Sequence, residues 1–138
     1  MQSQKVRDYM TKQPVTFTAD MSLSAALEKV INSEFLGGPV LDERRKVIGF
    51  LSEQDLLDKL VKVSYYCQDS YQVKDCMTTE VLSVDSDMPI IQLAEKMIIG
   101  KPKAYPVIDE EKLVGLITRR AVLQAVDQSL RSCFEHQV

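Results

Sequence analysis

Tryptophan is absent, histidine occurs once, and glycine and proline number five each in 138 residues. So few chain-breakers exclude a collagen-like or low-complexity chain, and hydrophobic and charged fractions of 45% and 27% are globular values. Cysteine is scarce too. Cys67, Cys76 and Cys133 are odd in number, and no two are spaced as a disulfide framework or a zinc knuckle needs. The one histidine, His136, stands at the C-terminal end, where chains fray, so neither a His-dependent nucleophile nor a metal centre is expected. Positive charge has no surplus: 17 Lys and Arg face 20 Asp and Glu, a net charge of -3. Binding to a nucleic-acid backbone is therefore not expected. No apolar run reaches the roughly 18 residues of a spanning helix. Met1 to Asp8 is polar where a secretory leader needs an apolar core, so the expectation is a cytoplasmic protein without a membrane partner.

What the chain does have is a repeat. Val6-Arg7-Asp8-Tyr9-Met10-Thr11 returns as Val73-Lys74-Asp75-Cys76-Met77-Thr78, an offset of 67 residues. Glu28-Lys29-Val30-Ile31 returns as Glu95-Lys96-Met97-Ile98, and Pro39-Val40-Leu41-Asp42-Glu43 as Pro106-Val107-Ile108-Asp109-Glu110. After the loss of one residue in a turn, Gly49-Phe50-Leu51-Ser52 matches Gly115-Leu116-Ile117-Thr118. Two copies, residues 1–64 and 65–138, fill the chain.

Each copy reads as β-α-β-β-α. Val15 to Thr18 and Val81 to Val84 are β-branched runs suited to strands. A helix follows in each, with Leu23, Ala26, Leu27, Val30 and Ile31 on one face of the first and Ile90, Leu93, Ala94, Met97 and Ile98 on one face of the second. Asp20 is placed to cap the first, Pro89 fits the first turn of the second, and Gly37-Gly38 and Gly100-x-Pro102 are stop signals. Pro39 to Leu41 and Val47 to Leu51 read as a hairpin across the charged turn Asp42 to Lys46. A second helix begins at Glu53, with Leu56, Leu57, Leu60 and Val61 on its stripe and Val122, Leu123 and Val126 on its counterpart's. Lys62 to Gln72, with Tyr65, Tyr66 and Tyr71, reads as a packed crossover between the copies. The expected class is α/β (α+β): two tandem units, each covering the other's sheet and helices about a pseudo-twofold axis.

Met-Thr before the first strand, Gly-Gly-Pro-Val-Leu-Asp, and Val-Ile-Gly-Phe-Leu-Ser-x-x-Asp-Leu-Leu together resemble the cystathionine β-synthase (CBS) domain, in both copies and over roughly Lys5 to Val126. The resemblance implies a CBS pair: a regulatory module whose clefts bind AMP, ADP, ATP or S-adenosylmethionine and which signals to a regulated partner protein. It implies no catalytic role, and no nucleophile-base pair, Walker loop or paired carboxylate spacing argues for one. A ligand-free pair serving only dimerisation is the competing reading.

By that resemblance the first copy's ligand residues in the inter-repeat cleft are Ser52 for phosphate and Asp55 for the ribose diol, with Phe17, Thr18, Leu36, Gly37, Gly38 and Pro39 around adenine. Lys101 from the second copy would meet phosphate, while Glu34 holds the equivalent place in the first. Spacing alone leaves alternatives open. Ser52-x-x-Asp55 is also close to a capping box, and lysines near helix ends are common on any surface. The second copy keeps the hydroxyl, Thr118, but has Ala121 in place of the carboxylate, so one cleft is expected to bind and the other to be weaker. Thr118 with Arg119 and Arg120 forms a possible second anion site, or the two arginines are simply solvated. Finally, the stripes Leu56/Leu60, Val122/Val126 and Ile98/Ile99 exceed what one small sheet can hide, so a homodimer through helices is expected, unless Gln128 to Val138 folds back over them.

Overall fold

The computed structural model describes residues 4–66, 70–99 and 102–135. Its four helices and small sheets divide between two units whose sequence bounds interleave: Pro14–Val81 forms one, and Met1–Gln13 joins Leu82–Val138 in the other. Sequence copies and spatial units are thus offset, because each copy's leading segment packs with the other copy's body.

In the Pro14–Val81 unit, β1 (Phe17–Thr18) lies parallel to β2 (Gly37–Leu41), which is antiparallel to β3 (Val47–Ser52). Helix α1 (Leu23–Ile31) connects β1 to β2, and α2 (Glu53–Tyr66) leaves the end of β3 directly. The expected hairpin is present. Its turn is held by the Asp42 carboxylate, which accepts the backbone N–H groups of Arg44 at 2.8 Å and Lys46 at 2.9 Å. These bonds, that of Lys46 first, hold Asp42 below the ordinary carboxylate range. Phe17, Leu23, Ala26, Val30, Val40, Leu51 and Leu56 form the core, together with Val73 from the leading segment of the second copy. The Val73 N–H donates to Met21 O and that of Lys74 to Ala19 O, both at 2.9 Å, which fastens the segment along its backbone as well.

The other unit repeats the scheme with α3 (Ile90–Ile98), β4 (Ala104–Asp109), β5 (Lys112–Thr118) and α4 (Arg119–Glu135). β4 and β5 pair antiparallel across a two-residue turn in which Glu110 and Glu111 both have positive φ, 50° and 66°. Val6, fully buried, joins Val84, Ile90, Leu93, Met97, Tyr105, Val107, Ile117, Val122 and Ala125 in its core. The N-terminal segment is held further by side chains: Gln4 donates to the Tyr9 hydroxyl, Tyr9 to Gln128, and Ser129 to Gln4.

Several boundaries differ from expectation. Ser22, not Asp20, caps α1, accepting from the Ala25 N–H at 3.2 Å; the Asp20 carboxylate instead accepts the Thr18 hydroxyl. Helix α1 ends at Ile31, ahead of Gly37-Gly38, which open β2; Gly100 lies outside the described residues. The run Val81 to Val84 contributes only a parallel bridge, Val84 to Val107. Gln128 to Glu135 continue α4 and do not fold back. Leu56 and Val122 are core residues and Leu60 and Val126 are half-buried, so the exposed apolar face is a neighbouring one: Leu57, Val61 and Tyr65 on α2, and Leu123, Leu130 and Phe134 on α4. Ile98 and Ile99 are exposed as expected. The connection between the copies begins inside α2, and Tyr65 and Tyr66 face solvent.

Candidate ligand site

Ser52 ends β3 and opens α2. Its Oγ accepts the Asp55 backbone N–H at 3.1 Å, which is an N-cap, while the first helical N–H, of Glu53, donates to Leu36 O at 2.9 Å. The Asp55 carboxylate does not reach back to complete a capping box. It turns to the segment that leads the second copy, where its Oδ2 accepts the Thr78 hydroxyl at 3.4 Å. Cys76 lies in the same neighbourhood. Burial pushes its thiol up, the Asp55 and Asp75 charges add to that, and Lys59 opposes it.

The register separates the sequence-derived residues into two groups. Gly37 pairs with Ser52, so Leu36, Gly37, Gly38, Ser52 and Asp55 gather where β2 starts and β3 ends. Phe17 and Thr18 pair with Val40 and Leu41, three to four residues further along β2, a distance of about 10–13 Å at strand rise. Leu36 and Thr18 are exposed, whereas Phe17, Gly37, Gly38 and Pro39 are buried. Phe17 belongs to the core, with 1% of its surface exposed. The two glycines have a reason within the fold. A Cβ on Gly38 would sit 2.0 Å from Val15 O, and Gly37 has φ +145° with Leu51 O 2.3 Å from where its Cβ would be. Val15, beside Gly38, and Thr78, beside Asp55, therefore border this group although sequence reasoning did not select them. Thr78 carried a signal in the repeated Met-Thr. Lys101 lies outside the described residues.

The corresponding junction of β5 and α4 keeps the frame and lacks the acid. Thr118 Oγ1 accepts the Ala121 N–H at 3.1 Å, and the Arg119 N–H donates to Lys103 O at 2.8 Å, matching the bond from Glu53 to Leu36. Arg119 and Arg120 are exposed, and Ala121 packs against the core. Thr11, the counterpart of Thr78, finds no carboxylate; its hydroxyl oxygen accepts the Gln13 N–H at 3.4 Å. Among the described residues no cluster of three or more His, Cys, Asp or Glu is placed to hold a metal, and no helix is long and apolar enough to cross a membrane.

Comparison with known proteins agrees with this architecture. The family model for the CBS domain matches residues 6–62 and 73–128. An A-adding tRNA nucleotidyltransferase from Aquifex aeolicus is 29% identical over 91% of the chain, yet the chain spans only 15% of that enzyme's length. Among solved structures, a protein ascribed to acetoin utilization (AcuB) from Vibrio cholerae superposes with a TM-score of 0.81 at 26% identity, over 98% of both chains. The structure of CBSX2 in complex with AMP superposes with a TM-score of 0.78 at 28% identity, over 91% of this chain and 98% of that one.

Proposed function

Since the chain belongs to the CBS domain family, with one copy matched in each half, we propose that it is a regulatory module binding an adenosine-containing nucleotide at the β3–α2 junction. The candidates are AMP, ADP, ATP and S-adenosylmethionine, and the occupied state is read by a partner protein. One observation carries the reading: Ser52 and Asp55 stand together at the head of a 14-residue helix, in a chain similar to one that holds AMP. The chemistry supports it. A hydroxyl has two lone pairs and one proton, so Ser52 can accept the Asp55 N–H and still donate to a phosphate oxygen. The helix N-terminus favours that anion. An ionised Asp55 offers acceptors to both hydroxyls of a ribose, and Leu36 to Pro39, with Phe17 and Thr18 by family pattern, complete the proposed set. Thr118, Arg119 and Arg120 form a weaker anion site in this reading.

Calorimetric titration of the full chain with the four nucleotides tests it. Saturable binding of at least one supports the site; no binding of any overturns it. Dimerisation is favoured by a separate observation, the exposure of Leu57, Val61 and Tyr65, which with Leu60 and Ser64 line a shallow groove on α2. Leu123 and Phe134 on α4 are exposed to a similar degree. Association of two copies through these faces would cover them, and it is compatible with nucleotide binding. Light scattering at micromolar concentration should give twice the 15.6 kDa chain mass; a single-chain mass would contradict the dimer.

A further inference from the structure

Thr78 is held in place twice over. Its N–H donates to Phe50 O and its carbonyl accepts the Phe50 N–H, both at 2.9 Å, so its backbone forms a bridge on β3 two residues before Ser52. From that fixed position its hydroxyl donates to Asp55 Oδ2 at 3.4 Å. The second copy supplies an internal control. Thr11 makes the same two-way backbone bridge to Leu116 at 2.9 Å, but position 121 is alanine and no hydroxyl–carboxylate pair forms. The fold alone therefore accounts for the threonine's backbone, while the side-chain pair occurs only where the acid is kept.

We propose that Thr78 is a positioning residue for ribose recognition: its hydroxyl fixes the rotation of the Asp55 carboxylate so that the remaining acceptor sites face a ribose diol. This rests on the nucleotide reading given above. A carboxylate has about four acceptor sites, so one bond to Thr78 leaves enough for two sugar hydroxyls. Its terminal torsion is otherwise soft, and fixing it beforehand removes an ordering cost from binding. A carboxylate aimed at a diol also discriminates against a sugar that lacks one hydroxyl.

The test measures the affinity of AMP, or of S-adenosylmethionine if it binds more tightly, against its 2′-deoxy counterpart for wild type, Thr78→Val, Thr78→Ser and Asp55→Ala. Thr78→Val keeps the β-branched shape and removes the donor. It should weaken the ribonucleotide by about threefold to tenfold and narrow the ribo-to-deoxy ratio, while Thr78→Ser restores both. A purely structural role would lower the melting temperature and leave the ratio unchanged. Wild-type affinity and ratio in Thr78→Val, alongside lost binding in Asp55→Ala, would overturn this inference and leave the nucleotide site standing. A wild-type protein that binds neither nucleotide would overturn both. Should Thr78→Val fail to fold, Thr78→Ala against Thr78→Ser carries the same comparison, the ratio surviving only in the serine variant.

Discussion

The β3–α2 and β5–α4 junctions share one backbone frame and differ in a few side chains. In each, a hydroxyl at the strand end caps the helix, Ser52 at 3.1 Å and Thr118 at 3.1 Å, and the first helical N–H bonds a carbonyl ahead of the hairpin. In each, a threonine from the other copy's leading segment pairs with the middle of the hairpin strand. What differs is position three of the helix, Asp55 against Ala121, and the charge beside it, Glu53 against Arg119 and Arg120. A shared frame is what folding requires of both copies. The acid is not required by the cap, so the difference separates fold from proposed function within a single chain.

The largest expected effect breaks the frame itself. Phe17→Ala removes a ring with 1% exposure from the first unit's core and should cost about 3–5 kcal/mol. Denaturant melts read this directly, and a loss under 1 kcal/mol would deny the ring its place in the core. Nucleotide affinity of the folded fraction should be largely retained, because the Phe17 ring is packed in the core and the residue pairs with Val40, three residues along β2 from the Gly37–Ser52 pair.

A smaller effect sharpens the contrast between the junctions. Ser52→Ala and Thr118→Ala each remove an N-cap and should each cost about 1 kcal/mol of stability. Ser52→Ala should also weaken binding at the dominant nucleotide site, which Thr118→Ala should leave unchanged. Equal losses of affinity in the two variants, measured by calorimetry, would erase the functional distinction while leaving the caps intact.

The smallest expected effect concerns acid. Asp109 accepts the Ser86 hydroxyl and the Ser86 N–H, the latter at 2.9 Å, and these bonds hold its carboxyl below the ordinary range. Asp87, beside Lys5 and Arg7, is lowered in the same direction. A carboxyl with a depressed native pKa binds its proton more readily when unfolded. It therefore contributes stability above the unfolded value of about 3.9, and that contribution is lost as pH falls through the native value. Melting temperature should drop on acidification through this window, and Asp109→Asn should flatten the drop. An identical acid slope in the variant would remove Asp109 from the account.

The parts of this fold legible in the sequence are those where pattern and packing agree. The offset repeat, the hairpins and the start of α2 after Ser52 could all be read because apolar strand runs, a charged turn and a capping hydroxyl each occur twice, at an offset of 67 residues that falls to 66 after the turn. Capping was misread at α1, where two oxygen-bearing side chains lie close together. Asp20 is occupied by the Thr18 hydroxyl, and Ser22 is the one in register with Ala25. The exposed apolar face was misassigned because apolar residues at adjacent positions, Leu56 and Leu57 or Val122 and Leu123, cannot be sorted by periodicity alone into inner and outer. The exchange of leading segments is beyond periodicity altogether. A repeat shows that Val6 and Val73 are equivalent and says nothing of which core each enters. For the same reason Thr78 could be read as part of a repeated Met-Thr but not as a neighbour of Asp55, 23 residues away in sequence.

The most direct test of the central claim, that the two junctions share a frame and one of them dominates binding, is the stoichiometry of nucleotide binding in wild type and in Asp55→Ala. The account predicts one dominant site per chain in wild type. In the folded variant, loss of a charge-assisted contact of about 1.5–3 kcal/mol should weaken that site by about tenfold to a hundredfold. Two equivalent sites per chain, or unchanged affinity in a folded Asp55→Ala protein, would contradict it.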